Sequence, residues 1–193
     1  MTDLSTLRQI LLDYQPDSEQ EEADRQIMLD FLEKNPDCLL RSNKLAHFTA
    51  SSWILDESGQ QSLMVYHNIY DAWSWTGGHA DGEAAPLAVA IKEAREETGL
   101  QQLKALKKTP ISLEIITVEG HWKRDSYVPA HLHLNLTYLL QASSDQALQH
   151  CPEENQGVRW VPRAEVLTTS GEEKMFHIYR KLNQKADAFL SSF

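Results

Sequence analysis

Two patterns of hydrophobic and polar positions divide the chain. Over residues 4–13 and 18–34 apolar side chains recur at helical spacing, with Ile27, Met28, Phe31 and Leu32 on the second segment before a break at Asn35 and Pro36. Asp17 or Ser18 is placed to cap that second helix. From His47 the texture changes to strands: HFTASSWILD, a DESGQ turn and SLMVYHNIY together predict a hairpin. The segment WSWTGG then leads into a helix predicted over residues 86–98, with Pro86 in its first turn and Gly99 as its C-terminal stop. Further strands are predicted at ISLEIITVEG and HLHLNLTYLLQA, a short one at GVRWVP, and a last helix over residues 172–190. Strands interleaved with helices, without repeats or low-complexity linkers, predict one α/β (α+β) sandwich whose cleft lies near the Gly77 loop.

Composition narrows the partners. The 193 residues suffice for one real core, and 41% hydrophobic with 24% charged residues is ordinary for a soluble globule. No apolar run approaches a bilayer span, so no membrane is expected as a partner. The start, MTDLSTLRQILLDYQPDSEQ, lacks the basic and apolar segments of a secretory signal, which makes the cytoplasm the expected compartment. Cys38 and Cys151 stand alone and read as buried or inert thiols. A formal net charge of −10 opposes sequence-independent nucleic-acid binding, and a phosphorylated ligand would need local cations to offset the field.

The chemistry concentrates in GGHADGEAAPLAVAIKEAREETGL, residues 77–100. At 100° per residue Leu87, Ile91 and Ala94 share one stripe, while Glu93, Glu96 and Glu97 fall within an arc of about 100°. Like charges at this spacing repel by a few tenths of a kcal/mol per pair, so a bound cation is expected to offset the crowding. Grouped carboxylates suit a hard ion such as Mg²⁺, which recruits substrate phosphates as further ligands. A solvated helix face with Lys92 paired to Glu96 is the alternative for the triplet alone.

The wider segment resembles the Nudix box, G-x5-E-x7-R-E-U-x-E-E-x-G-U with U a bulky aliphatic, over residues 78–100. Gly78, Glu93, Glu96, Glu97, Gly99 and Leu100 match; Ala84, Lys92 and Ala94 depart, and Glu83 stands one residue from the missing glutamate. The resemblance implies a Nudix fold, a mixed sheet sandwiched between helices, over residues 41–193, with an N-terminal helical extension over residues 1–40. It implies a Mg²⁺-dependent hydrolase, Mn²⁺ substituting, that cleaves a phosphoanhydride bond in a nucleoside diphosphate linked to another moiety. Glu93, Glu96, Glu97 and the Gly77 carbonyl are then metal ligands, with Glu93 also the candidate base. Lys92 stands in for the arginine that positions Glu93, keeping the charge without the planar fork. A further acid from a later loop is expected at Glu154, beside Glu153.

Alternation along HLHLNLTYLL puts His131, His133, Asn135 and Thr137 on one face, which reads as a wet cleft wall in which His133 and Asn135 contact substrate. Two histidines at i,i+2 without a third ligand nearby are a minority signal for zinc. Lys123 and Arg124 are candidates for terminal phosphates or an exposed loop. Trp73, Trp75 and Trp160 read as core or as base-stacking residues. The N-terminal helices are open to two readings, a packing appendage or a homodimer surface. Two rivals to the hydrolase are an isopentenyl-diphosphate isomerase, which would need a cysteine near the box, and a non-catalytic nucleotide-binding module.

Overall fold

The computed structural model describes residues 4–123 and 125–192, apart from the side chain of Lys123. Helices α1 (Ser5–Asp13) and α2 (Glu19–Lys34) come first, and Ser18 caps α2 by accepting the Glu21 N–H at 3.2 Å. Strands β1 (Ala46–Leu55) and β2 (Gln61–His67) form the expected hairpin, with Leu55 opposite Ser62. The short strands β3 (Ala72–Ser74) and β4 (Thr76–His79) fold back to pair antiparallel with β2 and β1. After α3 (Pro86–Thr98) come β5 (Lys104–Ala105), β6 (Ser112–Val118), the small hairpin β7 (His121–Lys123) and β8 (Ser126–Val128), then β9 (His131–Gln141) and β10 (Asn155–Pro162). Helices α4 (Val166–Ser170) and α5 (Phe176–Leu190) end the chain.

The main sheet is mixed: β1 and β9 run parallel, and every other described pairing is antiparallel. All ten residues of β1 are buried because β2 and β4 cover one edge, β9 covers the other, and helices cover both faces. Phe48, Ala50 and Ile54 of β1 and Leu134, Leu136, Tyr138 and Leu140 of β9 share one core with α1, α2 and α3. Trp53, Leu55 and Leu139 project the other way into a second core with Ile178, Tyr179, Leu182 and Ala186 of α5. The two-residue period of the strands thus feeds both layers of the sandwich.

The N-terminal helices are packing elements of the main core, to which they contribute the buried Leu7, Leu11, Met28 and Leu32. A buried ionic node reinforces this. Glu21 of α2 meets Lys185 at 3.0 Å and Lys181 at 3.3 Å, and Lys181 also meets Glu114 of β6 at 3.0 Å. Burial alone would raise the Glu21 carboxyl, but the Lys185 hydrogen bond and the Lys181 charge more than offset it and hold the group below its ordinary value.

Three boundaries differ from the expected ones. WSWTGG falls within β3 and β4 and the residue between them, strands too short for periodicity to reveal and formed by pairing across the sheet. The β7–β8 hairpin is equally short. The last helix begins at Phe176 rather than near residue 172, because Gly171 ends α4 in the left-handed conformation at φ 67° and a 3-10 turn, Glu173–Met175, intervenes. Among the described residues no helix is long and apolar enough to cross a membrane.

Candidate active site

Helix α3 carries the acidic residues, and its ends are set locally. Pro86 occupies the first turn, where its missing N–H costs nothing, and Gly99 takes a left-handed φ of 76° at the C-terminus. The expected division into an apolar face and an acidic face needs correction. The packed side consists of Val89, Ala90, Ala94, Glu97 and Thr98, whereas Leu87 and Ile91 are half-buried. Glu97 is therefore a core-facing carboxylate, 4% exposed, on the side of the helix turned toward β4.

The two glycines ahead of the helix make room for these acids. The Gly77 N–H donates to Glu97 Oε2 at 3.2 Å, and a Cβ on Gly77 would run into Ser51 and the Ala50 carbonyl of β1. A Cβ on Gly78 would occupy the position of the Glu93 carboxyl group. Neither glycine has a positive φ, so close approach is the reason for both.

The three box glutamates have different surroundings. Glu93 and Glu97 line a cleft of about 500 Å³, and Glu96 stands outside it. Lys92 bridges two of them, reaching Glu93 Oε1 at 3.0 Å and Glu96 Oε2 at 2.8 Å. Lys92 thus does hold Glu93, by a single point contact. Burial, with the charges of Glu154 and Glu93, pushes the Glu97 carboxyl well above the ordinary range. Burial also raises Glu93, and the neighbouring Lys92 only partly counters it. Ala84 is half-buried against the main core, while Glu83 accepts the Ala85 N–H at 2.9 Å just ahead of α3, so Glu83 organises the turn and does not enter the cleft.

Glu154 and Glu153 do line the cleft, and Glu154 acts electrostatically on both Glu93 and Glu97. Its loop is tied down by Asn155, a residue the sequence reading missed. Asn155 Nδ2 donates to the Glu97 carbonyl at 2.9 Å and its Oδ1 accepts the Cys151 N–H at 3.3 Å. An asparagine after two glutamates carries no sequence signal of its own, since only the packed loop buries it.

On the sheet, His133 and Asn135 both line the cleft, Asn135 at its floor and 1% exposed. Asn135 accepts from Thr49 at 3.0 Å and Ser51 at 2.8 Å, and donates to Thr137 at 3.1 Å and Glu114 at 3.3 Å. Its amide is therefore satisfied by the protein, and this part of the predicted wet wall is a dry hydrogen-bonded node. The two histidines of β9 are joined by His47 and His79, which the sequence reading did not bring together. The Lys123 side chain and all of Arg124 lie outside the described residues. Trp75 lines the cleft edge-on to Tyr179, Trp73 lies under the Arg159 guanidinium at 4.2 Å, and Trp160 packs on the main core. Cys38 is fully buried, its thiol pushed up to about 11 by burial, and neither it nor Cys151 lines the cleft.

The donor set fits a hard divalent ion. Glu97 is a nearly inaccessible carboxylate that accepts from the Gly77 N–H, and the charges of Glu154, Glu93 and Glu96 act on it with no lysine or arginine against it among the described residues. Such a group is either protonated or compensated by a cation, and oxygen donors select Mg²⁺ or Mn²⁺ over softer ions.

A family model, the NUDIX domain, matches residues 45–182. No curated protein matches the chain significantly in sequence. Similar solved structures include a Clostridium perfringens hydrolase of the NUDIX family, 21% identical with TM-score 0.53, covering 74% of this chain and 97% of that one. Another is a C. elegans Ap4A hydrolase in a binary complex, 18% identical with TM-score 0.51, covering 76% of this chain and 98% of that one. A third is the E. coli dihydroneopterin triphosphate pyrophosphohydrolase, 11% identical with TM-score 0.52, covering 76% and 96%. At these identities the likeness establishes the shared fold.

Proposed function

Because the chain belongs to the Nudix family, whose model spans residues 45–182, we propose that it is a Mg²⁺-dependent hydrolase cleaving the phosphoanhydride bond of a nucleoside diphosphate linked to another moiety. The observation that carries this reading is the pair Glu93 and Glu97, set on one cleft with Glu154 and held at raised proton affinity by burial. The Ap4A hydrolase and the dihydroneopterin triphosphate pyrophosphohydrolase among the structural neighbours support the substrate class. Absence of both cysteines from the cleft leaves nothing to favour an isomerase.

Bound Mg²⁺ would acidify a water molecule, neutralise phosphoryl oxygens and orient the attack. Glu93, Glu97, Glu154 and the Gly77 carbonyl would hold it, and Glu96 would join on exchanging its contact with Lys92. Glu93 is the base that takes the proton of the attacking water, since burial raises its proton affinity above that of an ordinary carboxylate. Lys92 steers that carboxylate by the 3.0 Å contact. Asn155 fixes the loop that presents Glu154. Arg41, Lys44 and Lys174 line the cleft and attract the phosphates, while Trp75 and Ile178 offer an apolar wall to the remainder of the substrate. His133, Asn135, Lys123 and Arg124 complete the proposed substrate set, Asn135 by supporting the floor.

The test is product release from a panel of nucleotide derivatives with Mg²⁺ or Mn²⁺, read by mass. The expected products are a nucleoside monophosphate and the phosphorylated remainder. No release across the panel from a cooperatively folded wild type refutes the proposal.

A further inference from the structure

His47, His79, His131 and His133 converge from β1, β4 and β9. Parallel pairing sets His47 opposite His133, antiparallel pairing sets His79 opposite Thr49, two residues beyond His47, and strand alternation returns His131 to the face of His133. Each ring offers one nitrogen, and the four atoms lie within 4.8 Å of one another. Five of the ring pairs have centroids 4.9 to 5.1 Å apart. Four imidazoles held at about 2.0–2.1 Å from a tetrahedral ion would have nitrogens about 3.3 Å apart and centroids about 5 Å apart. His131 Nε2 and His133 Nε2 stand 3.2 Å apart in a hydrogen bond, donated by His133 when His131 carries its proton on Nδ1, and a bound ion would replace that shared proton.

Tautomers point the same way. His47 Nδ1 faces the Asn43 carbonyl at 3.1 Å and His131 Nδ1 faces the Pro129 carbonyl at 2.9 Å. A carbonyl can only accept, so both Nδ1 atoms carry the proton and both Nε2 atoms present a lone pair. This is the outer hydrogen bond that orients metal-ligating histidines. The His47 Nε2 lone pair is buried, in a residue 3% exposed, with no hydrogen-bond donor against it among the described residues.

We propose that these four histidines bind one divalent transition-metal ion of the zinc class, at a site separate from the carboxylates of Glu93 and Glu97. Imidazole nitrogen suits Zn²⁺, Co²⁺ or Ni²⁺ and serves Mg²⁺ poorly, so the two sites sort cations by softness. The site forms part of the wall of the same cleft, to which all four histidines contribute. The rings are neutral ligands, and Asp81, two residues beyond His79, is itself paired with Arg41.

Tag-free protein, stripped with chelator and kept in excess Mg²⁺, is titrated with Zn²⁺ against a chromophoric competitor. One equivalent is expected to bind, with affinity at least ~100-fold lower in a His47→Gln, His131→Gln double variant and retained in Glu97→Gln. Co²⁺ loading of the wild type is expected to give the intense visible bands of tetrahedral coordination. Should the double variant misfold, X-ray absorption of the Zn²⁺-loaded wild type decides the matter, since imidazole carbons add outer-shell scattering. Absence of stoichiometric uptake, an oxygen-only shell, or uptake that persists in the histidine variant but falls in Glu97→Gln overturns the proposal. None of these readouts depends on hydrolysis.

Discussion

Replacing Gly78 by alanine moves one identified group. The new Cβ would overlap the Glu93 carboxyl and lie 2.7 Å from its Cγ. An unstrained carbon contact needs about 3.5 Å, so the Glu93 side chain must retreat by roughly 1 Å. Backbone conformation adds no penalty, because Gly78 has no positive φ. The obstructing atoms belong to a flexible side chain, which puts the stability loss near about 1 kcal/mol, the low end for overpacking, or about 2–4 °C in Tm for a chain of this size. Displacing a catalytic group by about 1 Å costs about 10²-fold in rate, equivalent to about 2.7 kcal/mol of barrier. Activity should therefore fall well beyond what unfolding explains. The assay is kcat and KM for product release beside thermal unfolding, with Gly157→Ala as control, since its Cβ would make only a 3.4 Å contact with Trp73. A Gly78→Ala protein with kcat within about threefold of wild type would refute the reasoning that Gly78 seats Glu93 for catalysis.

Glu97→Gln keeps an acceptor for the Gly77 N–H and removes a buried charge, so in chelator it should be more stable by about 1–2 kcal/mol while hydrolysis falls by at least ~10²-fold. Its pH dependence has a definite sign: the folded Glu97 carboxyl lies above its unfolded value of 4.5, so wild type loses stability as pH rises above 4.5, and the variant's advantage, absent below that pH, grows in denaturant melts taken upward from it. Glu21→Gln should cost about 3 kcal/mol, the low end for a broken buried pair, because Lys181 keeps Glu114 at 3.0 Å and Lys185 keeps Asp17 at 2.8 Å. As the folded Glu21 carboxyl lies below 4.5, that difference should be full above pH 4.5 and narrow as pH falls beneath it, in urea denaturation across the range. Asn155→Ala strands the Glu97 carbonyl and the Cys151 N–H, so stability should drop by about 1–3 kcal/mol and the Mg²⁺ concentration for half-maximal activity should rise, both measurable on one preparation.

The order of helices and strands was legible because apolar periodicity is a local property. α2 with its Ser18 cap, the β1–β2 hairpin and α3 from Pro86 to Gly99 all follow from residues within a few positions of one another. β3, β4, β7 and β8 were not legible, since strands of three or four residues are defined by their partners rather than by their own pattern. The same division runs through the site. Spacing alone brought Glu93, Glu96 and Glu97 onto one flank of a helix, but could not say which of them the fold would bury. Glu97 went inward because α3 docks against β1 and β4, whereas Glu96 stayed outside with Lys92.

Asn155 and the histidine quartet show the limit most clearly. His47 and His133 are separated by most of the domain in sequence and become neighbours only through the parallel register of β1 and β9. By itself the sequence determined the acidic helix, the close glycines and the family they belong to, because each rests on neighbours along the chain. Tertiary structure alone decided which carboxylates share a dry cleft and which imidazoles meet, because burial and long-range strand register are properties of the packed sheet and not of any one segment.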